Sequence, residues 1–322
     1  MGGGGRMSPV PLRERPRRTR RYWLNLAGFT VLCGVLGLIA AQYVGAPYYL
    51  TYGYTHPKRL PVCCETPADR GLLYEEVVIR TADGLDLRGW YVPGSNRAAV
   101  IALHSIASNR VMMLGPAALL ARHGYGVLLL DLRAHGESDG DLYPYGGPEA
   151  EDVRAAADYL AQRADVDPGR IGLLGFSLGA QTGLLGAART PAIRAVVADG
   201  PGATTFTDWP PARTPGEWAY VPFDLVFYRF LQWRTGVREP LSVQAAIAQV
   251  APRPILLIGG GRERRALEHL ASLSAAPPAQ WVVPEAGHLE SLALQPDEYE
   301  QRVSEFFDAA LLVDMTTADN SP

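Results

Sequence analysis

A Gly-x-Ser-x-Gly pentad at residues 175–179 constrains this chain more than any other feature of its sequence. An apolar run, 171–174, precedes the pentad, and a stretch rich in alanine and leucine follows it. The pattern predicts a strand, a sharp turn that presents Ser177, and a helix, with glycines where side chains would collide. Because a turn serine between two packed elements shows the same pentad, the hypothesis that Ser177 is a nucleophile needs a base and an acid.

A candidate base lies near the end of the folded part of the chain. The apolar run 281–283 leads into a loop in which Gly287 directly precedes His288. The other histidines lie upstream of Ser177 or in a helical, partly charged stretch. His288 is therefore predicted to accept the proton of the Ser177 hydroxyl.

The order of elements predicts the fold class. Helical patterns such as 115–122 and 149–163 alternate with the later strands. This alternation is typical of a mostly parallel, doubly wound α/β sheet, and about 240 residues is near the upper size of one domain. Strands are predicted at 74–79, 85–91, 98–103, 126–130, 171–174, 195–198, 255–258 and 280–283.

Several motifs together resemble the α/β-hydrolase superfamily. They are Thr81-Ala82-Asp83-Gly84, the loop centred on His104, the segment 131–138, the pentad around Ser177, and Gly287-His288. Over roughly residues 75 to 310, the chain is similar in particular to membrane-anchored bacterial serine hydrolases related to eukaryotic ABHD-type proteins. The resemblance implies an α/β-hydrolase fold, with a mostly parallel eight-stranded sheet, flanking helices and a cap insertion.

The resemblance also implies a role for individual residues. The superfamily orders its triad as serine, then aspartate or glutamate, then histidine, so Ser177 matches the nucleophile and His288 the general base. The run 255–258 is predicted to be a buried parallel strand, and Glu263 follows it at the sheet edge where catalytic groups gather. Glu263 is the leading acid, where most relatives have aspartate. Asp199, at the end of the preceding strand, competes for the role.

Two backbone N–H groups match the oxyanion hole of the superfamily. One belongs to Leu178, the residue after the nucleophile, and the other to Ile106. Relatives have a His-Gly pair before the second donor, whereas this chain has His104-Ser105. Serine restricts the backbone, so either this donor is displaced or the Ser105 hydroxyl assists; losing one donor costs ~10²–10³ in rate. His104 itself and the charged segment 131–138 are interpreted as structural loops.

The N-terminus predicts a membrane anchor. Residues 1–21 carry seven arginines and one glutamate, and 24–44 carry no charge. At ~1.5 Å per residue the uncharged segment is about 31 Å long, enough for a bilayer core of ~30 Å. Arginines before the segment predict a cytoplasmic N-terminus and a catalytic domain on the outer face. The predicted organisation is a basic tail (1–21), a transmembrane helix (22–45), a stalk (46–72), a hydrolase domain (73–312) with a cap insertion (201–250), and a disordered tail (313–322).

Alternatives for the N-terminus stay open. A signal peptide cleaved after 44–46 would place Pro47 next to the cleavage site, and its apolar region would be unusually long. A lipoprotein cysteine at Cys33 would follow Leu32, where a small residue is expected. Tyrosines at 48, 49, 52 and 54 are predicted to lie at the membrane surface.

Composition limits the partners. Beyond residue 21 the chain has 23 basic and 32 acidic residues, a net charge of −9, which disfavours nucleic acid as a partner. Cys63 and Cys64 are adjacent, so no disulfide framework is expected. The histidines and carboxylates lack metal-ligand spacing, and no metal or diffusible cofactor is predicted. The aromatic-rich segment 201–250 is a candidate lining for an acyl pocket or a contact for lipid.

These features predict a membrane-anchored serine hydrolase that cleaves a carboxylic ester, or a thioester or amide, through an acyl-enzyme. Its substrate would be a small-molecule or lipid-like ester. A non-catalytic α/β-hydrolase-fold binding protein is the alternative from another class, because Ser105 and Glu263 depart from the family pattern. A serine peptidase is the third hypothesis, and it requires a peptide-sized cleft.

Overall fold

The computed structural model describes residues 18–313, so most of the predicted basic tail (1–21) and all but the first residue of the predicted disordered tail (313–322) lie outside the described residues. The first element is a long N-terminal helix, composed of α1 (Arg20–Ala40), a π-helical turn (Ala41–Gly45) and α2 (Ala46–Thr55). By length and composition, Arg20–Thr55 is able to span a membrane, and no residue of its apolar window is buried by the other described residues.

The N-terminal helix continues past residue 45, where we predict the end of the membrane span. Pro47 has no N–H to donate to the carbonyl of Tyr43, four residues earlier, so an ordinary α-helix would lose a hydrogen bond there. The wider π-helical turn, Ala41–Gly45, accommodates this break. The first part of the predicted stalk is therefore helical, and it lies against the cap.

Within the described residues, eight strands form one sheet in the order β1-β2-β4-β3-β5-β6-β7-β8. Strand β2 is antiparallel to both of its neighbours, and the remaining pairs are parallel. The predicted fold class is thereby confirmed, and the strands lie close to their predicted bounds. They are β1 (Glu75–Arg80), β2 (Asp86–Val92), β3 (Ala99–Leu103), β4 (Gly126–Leu130), β5 (Ile171–Phe176), β6 (Ile193–Asp199), β7 (Ile255–Gly260) and β8 (Ala279–Val283).

Helices cover both faces of this sheet. Every residue of β3, β4 and β5 is buried, as continuous apolar runs in a parallel sheet require. One apolar core lies under α4, α5, α7 and α8, and the other under α3 and α10. The helices after α2 are α3 (Leu114–Arg122), α4 (Glu149–Ala161), α5 (Leu178–Arg189), α6 (Pro215–Thr235), α7 (Val243–Val250), α8 (Arg264–Ala271), α9 (Ser291–Leu294) and α10 (Pro296–Phe307).

Helix α6 is the main element of the segment predicted as a cap, between β6 and β7. Its first turn is capped by Thr214, whose hydroxyl accepts the backbone N–H of Glu217. Helix α2 packs on α6: the Tyr48 ring lies 5.4 Å from that of Phe230, and Arg234 donates to the Tyr48 carbonyl over 2.8 Å. These contacts fix the end of the N-terminal helix to the cap, above the carboxyl edge of the sheet.

Candidate active site

Ser177 sits between the end of β5 and the start of α5, with φ 50° and ψ −107°. A positive φ is uncommon for a residue with a side chain and costs conformational energy, so it persists only where the surroundings impose it. The backbone N–H of Ser177 donates to the Asp199 carbonyl at the end of the neighbouring strand over 2.8 Å. The strand–turn–helix predicted from the pentad is present and presents the Ser177 hydroxyl at the carboxyl edge of the sheet.

The two glycines of the pentad have a steric reason. A Cβ on Gly175 would lie 2.4 Å from the backbone of Gly179, and a Cβ on Gly179 would lie 2.2 Å from the Leu103 carbonyl oxygen. Both distances are shorter than any real contact, so a side chain at either position would force strand and helix apart. The close approach also brings the start of α5 against the loop that follows β3.

His288 follows β8 in a loop and lies beside Ser177. Its Nε2 is 3.0 Å from Ser177 Oγ, and its Nδ1 is 2.6 Å from Glu263 Oε1. Because an ionised carboxylate only accepts hydrogen bonds, Nδ1 carries the hydrogen and Nε2 is free to accept the serine proton. The structure thus brings the three predicted triad residues together in one hydrogen-bonded chain.

Glu263 ends a short 3₁₀ turn, Gly261–Glu263, directly after β7. Its second oxygen, Oε2, accepts the backbone N–H of Gly260 over 2.8 Å. A Cβ on Gly260 would lie 2.2 Å from the Ala286 carbonyl oxygen, so glycine lets the histidine loop approach the end of β7. With both oxygens bound, the carboxylate is held in one orientation towards His288.

The contact between His288 and Glu263 shifts the pKa of each residue. The hydrogen bond to Glu263 raises the pKa of His288 against an opposing effect of partial burial. Partial burial works to raise the pKa of Glu263, but the hydrogen bonds from His288 and Gly260 outweigh it and the pKa is lowered. Glu263 therefore stays ionised at neutral pH and stabilises an imidazolium on His288.

Asp199, the competing acid, is also at the site but makes no hydrogen bond with the imidazole. Its side chain is fully buried at the end of β6 near the Tyr299 hydroxyl, but within residues 18–313 neither carboxylate oxygen has a partner in hydrogen-bonding geometry. Burial raises the pKa of Asp199 to about 7, although the nearby Tyr299 hydroxyl and His288 act to lower it. The structure thus places Glu263, and not Asp199, on His288.

Leu178 and Ile106, the two predicted oxyanion donors, line the same cavity as Ser177. Leu178 is the first residue of α5, so its N–H has no acceptor within the helix and is available to a ligand. Ile106 lies in the loop after β3. The Ser105 hydroxyl donates to the Met112 sulfur over 3.3 Å, so this loop serine is bound away from Ser177.

The neighbouring loops that carry charged and histidine side chains are hydrogen-bonded into the fold. The Leu132 N–H donates to His104 Nε2 over 3.0 Å, and burial lowers the pKa of His104 to about 4, so the ring is neutral. Asp131 is fully buried and accepts from both the backbone and the guanidinium of Arg110. These contacts match the structural interpretation of both loops. No cluster of three or more metal-binding side chains occurs in the part of the chain that the structure describes.

A mostly apolar cavity of about 620 Å³ opens beside Ser177. Its walls come from the cap, from the loops around the triad and from α2, which contributes Leu50 and Tyr54. Sequence reasoning missed the contribution of α2, although the tyrosines at 48, 49, 52 and 54 pointed to an interface. The larger cap side chains in the lining are Trp209, Phe223, Asp224, Phe227, Tyr228 and Leu231.

Comparison with known proteins places this geometry among related chains. Residues 51–249 match the family described as X-Pro dipeptidyl-peptidase (S15 family). The uncharacterized protein MT2364 of Mycobacterium tuberculosis is 31% identical over 269 residues, 80% of this chain and 89% of the relative. The uncharacterized protein YfhR of Escherichia coli K12 is 27% identical over 253 residues, 74% of this chain and 81% of the relative. Among solved structures, the Pyrococcus furiosus esterase Pf2001 is 28% identical with a TM-score of 0.64, covering 80% of this chain and 98% of that one.

Proposed function

The chain belongs to the α/β-hydrolase superfamily and, within it, to the X-Pro dipeptidyl-peptidase (S15) family, and on this premise we propose that it is a membrane-anchored serine hydrolase that cleaves a carboxylic ester. The observation that carries the proposal is the unbroken chain from Ser177 Oγ through the His288 imidazole to Glu263, with contacts of 3.0 and 2.6 Å. A serine hydroxyl is a weak nucleophile unless a base removes its proton. This arrangement supplies that base, together with an acid that orients it.

The reaction follows from these positions. Ser177 Oγ attacks the ester carbonyl carbon while His288 Nε2 takes the hydroxyl proton, which forms a tetrahedral oxyanion. The N–H groups of Leu178 and Ile106 stabilise that oxyanion. His288 then returns the proton to the leaving alcohol oxygen, and the acyl group stays on Ser177. A water activated by the same imidazole releases the acid and restores the serine.

The lining of the cavity supports an ester with an apolar acyl or alcohol group. Aromatic and aliphatic side chains dominate it, and a volume of about 620 Å³ is within the usual size for a small-molecule site. The similarity to an esterase of known structure supports the same choice. The anchor is proposed from the apolar helix Arg20–Thr55, and the arginines before it support an outward-facing catalytic domain.

One observation favours a serine peptidase as the second candidate. Asp224 lines the cavity, and burial raises its pKa while no cation is paired with it in residues 18–313. A carboxylate in this position would pair with the ammonium group of a peptide N-terminus. The matched family is described as a dipeptidyl-peptidase, which also supports a peptidase.

The two candidates are separated by two sets of chromogenic substrates, esters that release p-nitrophenol and amides that release p-nitroaniline. We expect the full chain to hydrolyse p-nitrophenyl esters of medium chain length and to leave X-Pro p-nitroanilides intact. Preferential hydrolysis of the anilides would support the peptidase, and Asp224→Asn should then raise KM for them. If the protein hydrolyses neither substrate and does not react with a fluorophosphonate, that result would favour the alternative of a non-catalytic binding protein.

A further inference from the structure

Helix α6 carries apolar side chains on three sides. One side, with Phe227, Tyr228 and Leu231, lines the catalytic cavity. A second side contacts α2 through Phe230. In soluble proteins a helix that is apolar all round is buried, whereas the third side of α6 is exposed.

The exposed side forms a continuous stripe along the helix, which we call the outer stripe. Its members are three or four residues apart, so they share one face of the helix. Within residues 18–313, Trp218 is 61% exposed, Leu225 50% and Trp233 67%, and only Trp233 among them has a ring contact with α2, 6.3 Å from Tyr48. The outer stripe consists of Trp218, Pro222, Leu225, Arg229 and Trp233.

The position of α6 on the N-terminal helix places the outer stripe next to the predicted membrane span. Tyr43, in the last turn of that span, donates its hydroxyl to the Ala219 carbonyl over 3.1 Å. At the other end of the contact, Arg234 donates to Thr51. Between residues 219 and 234, α6 rises about 22 Å along its axis, whereas the N-terminal helix rises about 12 Å between residues 43 and 51. Helix α6 therefore crosses obliquely at the outer end of the apolar segment, the depth at which tryptophan and tyrosine concentrate in membrane proteins.

The charges around the stripe fit a membrane surface. Arg229 and Arg238 line a shallow cavity with Trp233 at the end of α6, and Arg234 lies over the Tyr48 ring at 4.4 Å. Glu217, the acidic residue of the first turn, is paired with Arg265. Arginines beside exposed aromatic side chains are typical of helices that lie in the headgroup region and contact anionic lipids.

We propose that the outer stripe of α6 inserts into the headgroup region of the outer leaflet and that the catalytic cavity receives a lipid ester from that leaflet. This inference rests on the proposed function, since it names the substrate class of the same site. Leu50 and Tyr54 of the cavity lie about 9 and 15 Å along the helix beyond residue 44. A lipid ester therefore moves only this short distance out of the bilayer to reach the cavity, and its acyl chain stays in contact with apolar side chains.

The test uses the full chain in nanodiscs that contain anionic phospholipid, with two ester substrates. One is a long-chain ester dissolved in the bilayer, and the other is a water-soluble short-chain ester. Leu225→Ser should lower kcat/KM for the bilayer ester roughly tenfold while the soluble ester changes by less than about twofold. The matched control is Leu73→Ser, because Leu73 is 86% exposed and precedes β1 at the opposite edge of the sheet. It should change neither rate.

Quenching of tryptophan fluorescence by brominated phospholipids gives a readout that does not depend on activity. Trp218→Phe should remove part of the quenchable emission, whereas Trp281→Phe, at a buried position of β8, should not. Equal effects of Leu225→Ser and Leu73→Ser on the bilayer ester, with Trp218 unquenched, would overturn the inference. If the wild-type chain cleaves neither ester, the proposed function fails, and the quenching of Trp218 alone decides whether the stripe contacts the bilayer.

Discussion

Two carboxylates lie at the ends of adjacent strands, and they differ in every contact that matters to His288. Glu263, after β7, accepts hydrogen bonds from His288 and from the Gly260 backbone, over 2.6 and 2.8 Å. Asp199 ends β6 with its side chain fully buried and its two oxygens without hydrogen-bond partners in the described residues. A position at the end of a strand is therefore insufficient for an acid, because the carboxylate must also be aimed at the imidazole.

The backbone explains the difference. Asp199 uses its carbonyl to accept the Ser177 N–H, so its peptide is held in line with the strand. Glu263 lies beyond the strand on a 3₁₀ turn, and its longer side chain reaches Nδ1 of His288. The pKa of Glu263 is lowered by its hydrogen bonds, and burial raises that of Asp199 to about 7. The same edge of the sheet thus holds one carboxylate that is ionised at neutral pH and one whose charged form is disfavoured by burial.

Replacing the nucleophile gives the largest expected effect and sets the floor for comparing the carboxylates. Ser177→Ala should reduce kcat for ester hydrolysis by ~10⁴-fold or more, because no other hydroxyl of the described residues is hydrogen-bonded to His288. The rate is measured in full-length protein whose circular dichroism matches the wild type. Substantial residual turnover would show that another residue attacks the ester carbonyl. The comparison of Glu263 with Asp199 would then no longer concern the catalytic acid.

Glu263→Gln should cost nearly as much, ~10³–10⁴ in kcat. An amide can donate to Nδ1 and so favours the wrong imidazole tautomer, as for the orienting acid of other triads. Glu263→Asp is the matched control, and it should recover part of the rate because the charge is retained while the reach is shorter. Equal losses in the glutamine and aspartate variants would mean that the side chain acts through packing.

The pH dependence of kcat/KM reports on the contact between His288 and Glu263. Catalysis needs the neutral imidazole, and the hydrogen bond to Glu263 raises the pKa of His288 above its usual ~6.5. In the wild type, kcat/KM should therefore fall as pH drops through a midpoint above ~6.5. Glu263→Gln removes the main cause of the shift, so the midpoint of its residual activity should move to lower pH. An unchanged midpoint would contradict the assigned pair.

Asp199→Asn should have the smallest effect on turnover, less than about tenfold in kcat, because Asp199 makes no hydrogen bond with His288. Its expected signature is in stability. The pKa of Asp199 in the fold, about 7, lies above the ordinary value of ~3.9, so stability from this group is present at low pH and is lost as pH rises towards and past 7. In urea denaturation, the free energy of unfolding of the wild type should therefore fall between pH 5 and pH 8 by more than that of Asp199→Asn. A larger loss of kcat than in Glu263→Gln would make Asp199 the acid.

The central sheet and the turn around Ser177 could be predicted because local patterns determine them. Strands such as β4 and β7 are continuous apolar runs, and the glycines of the pentad mark a contact that excludes side chains. The pairing of His288 with a particular acid could be ranked but not decided, since two acids follow neighbouring strands. That choice depends on the direction of a side chain, which no spacing in the sequence encodes.

The cap and the N-terminal helix were harder to predict. Pro47 suggests an end to the first helix, yet the π-helical turn Ala41–Gly45 carries it on to Thr55. Helix α6 has no single apolar face, because it contacts the cavity and α2 and also carries the exposed outer stripe. Apolar residues that face these different surroundings alternate along the sequence of α6. Only the tertiary structure therefore shows which side of the helix each residue lies on. The contribution of Leu50 to the cavity is long-range for the same reason.

Labelling the full chain with a fluorophosphonate and locating the adduct by peptide mass spectrometry would show whether Ser177 is a nucleophile activated by His288. We expect one adduct, on Ser177, which forms quickly at pH 8 and forms far more slowly in Glu263→Gln than in Asp199→Asn. An adduct on another serine would contradict this assignment, as would no adduct at all in protein that is folded.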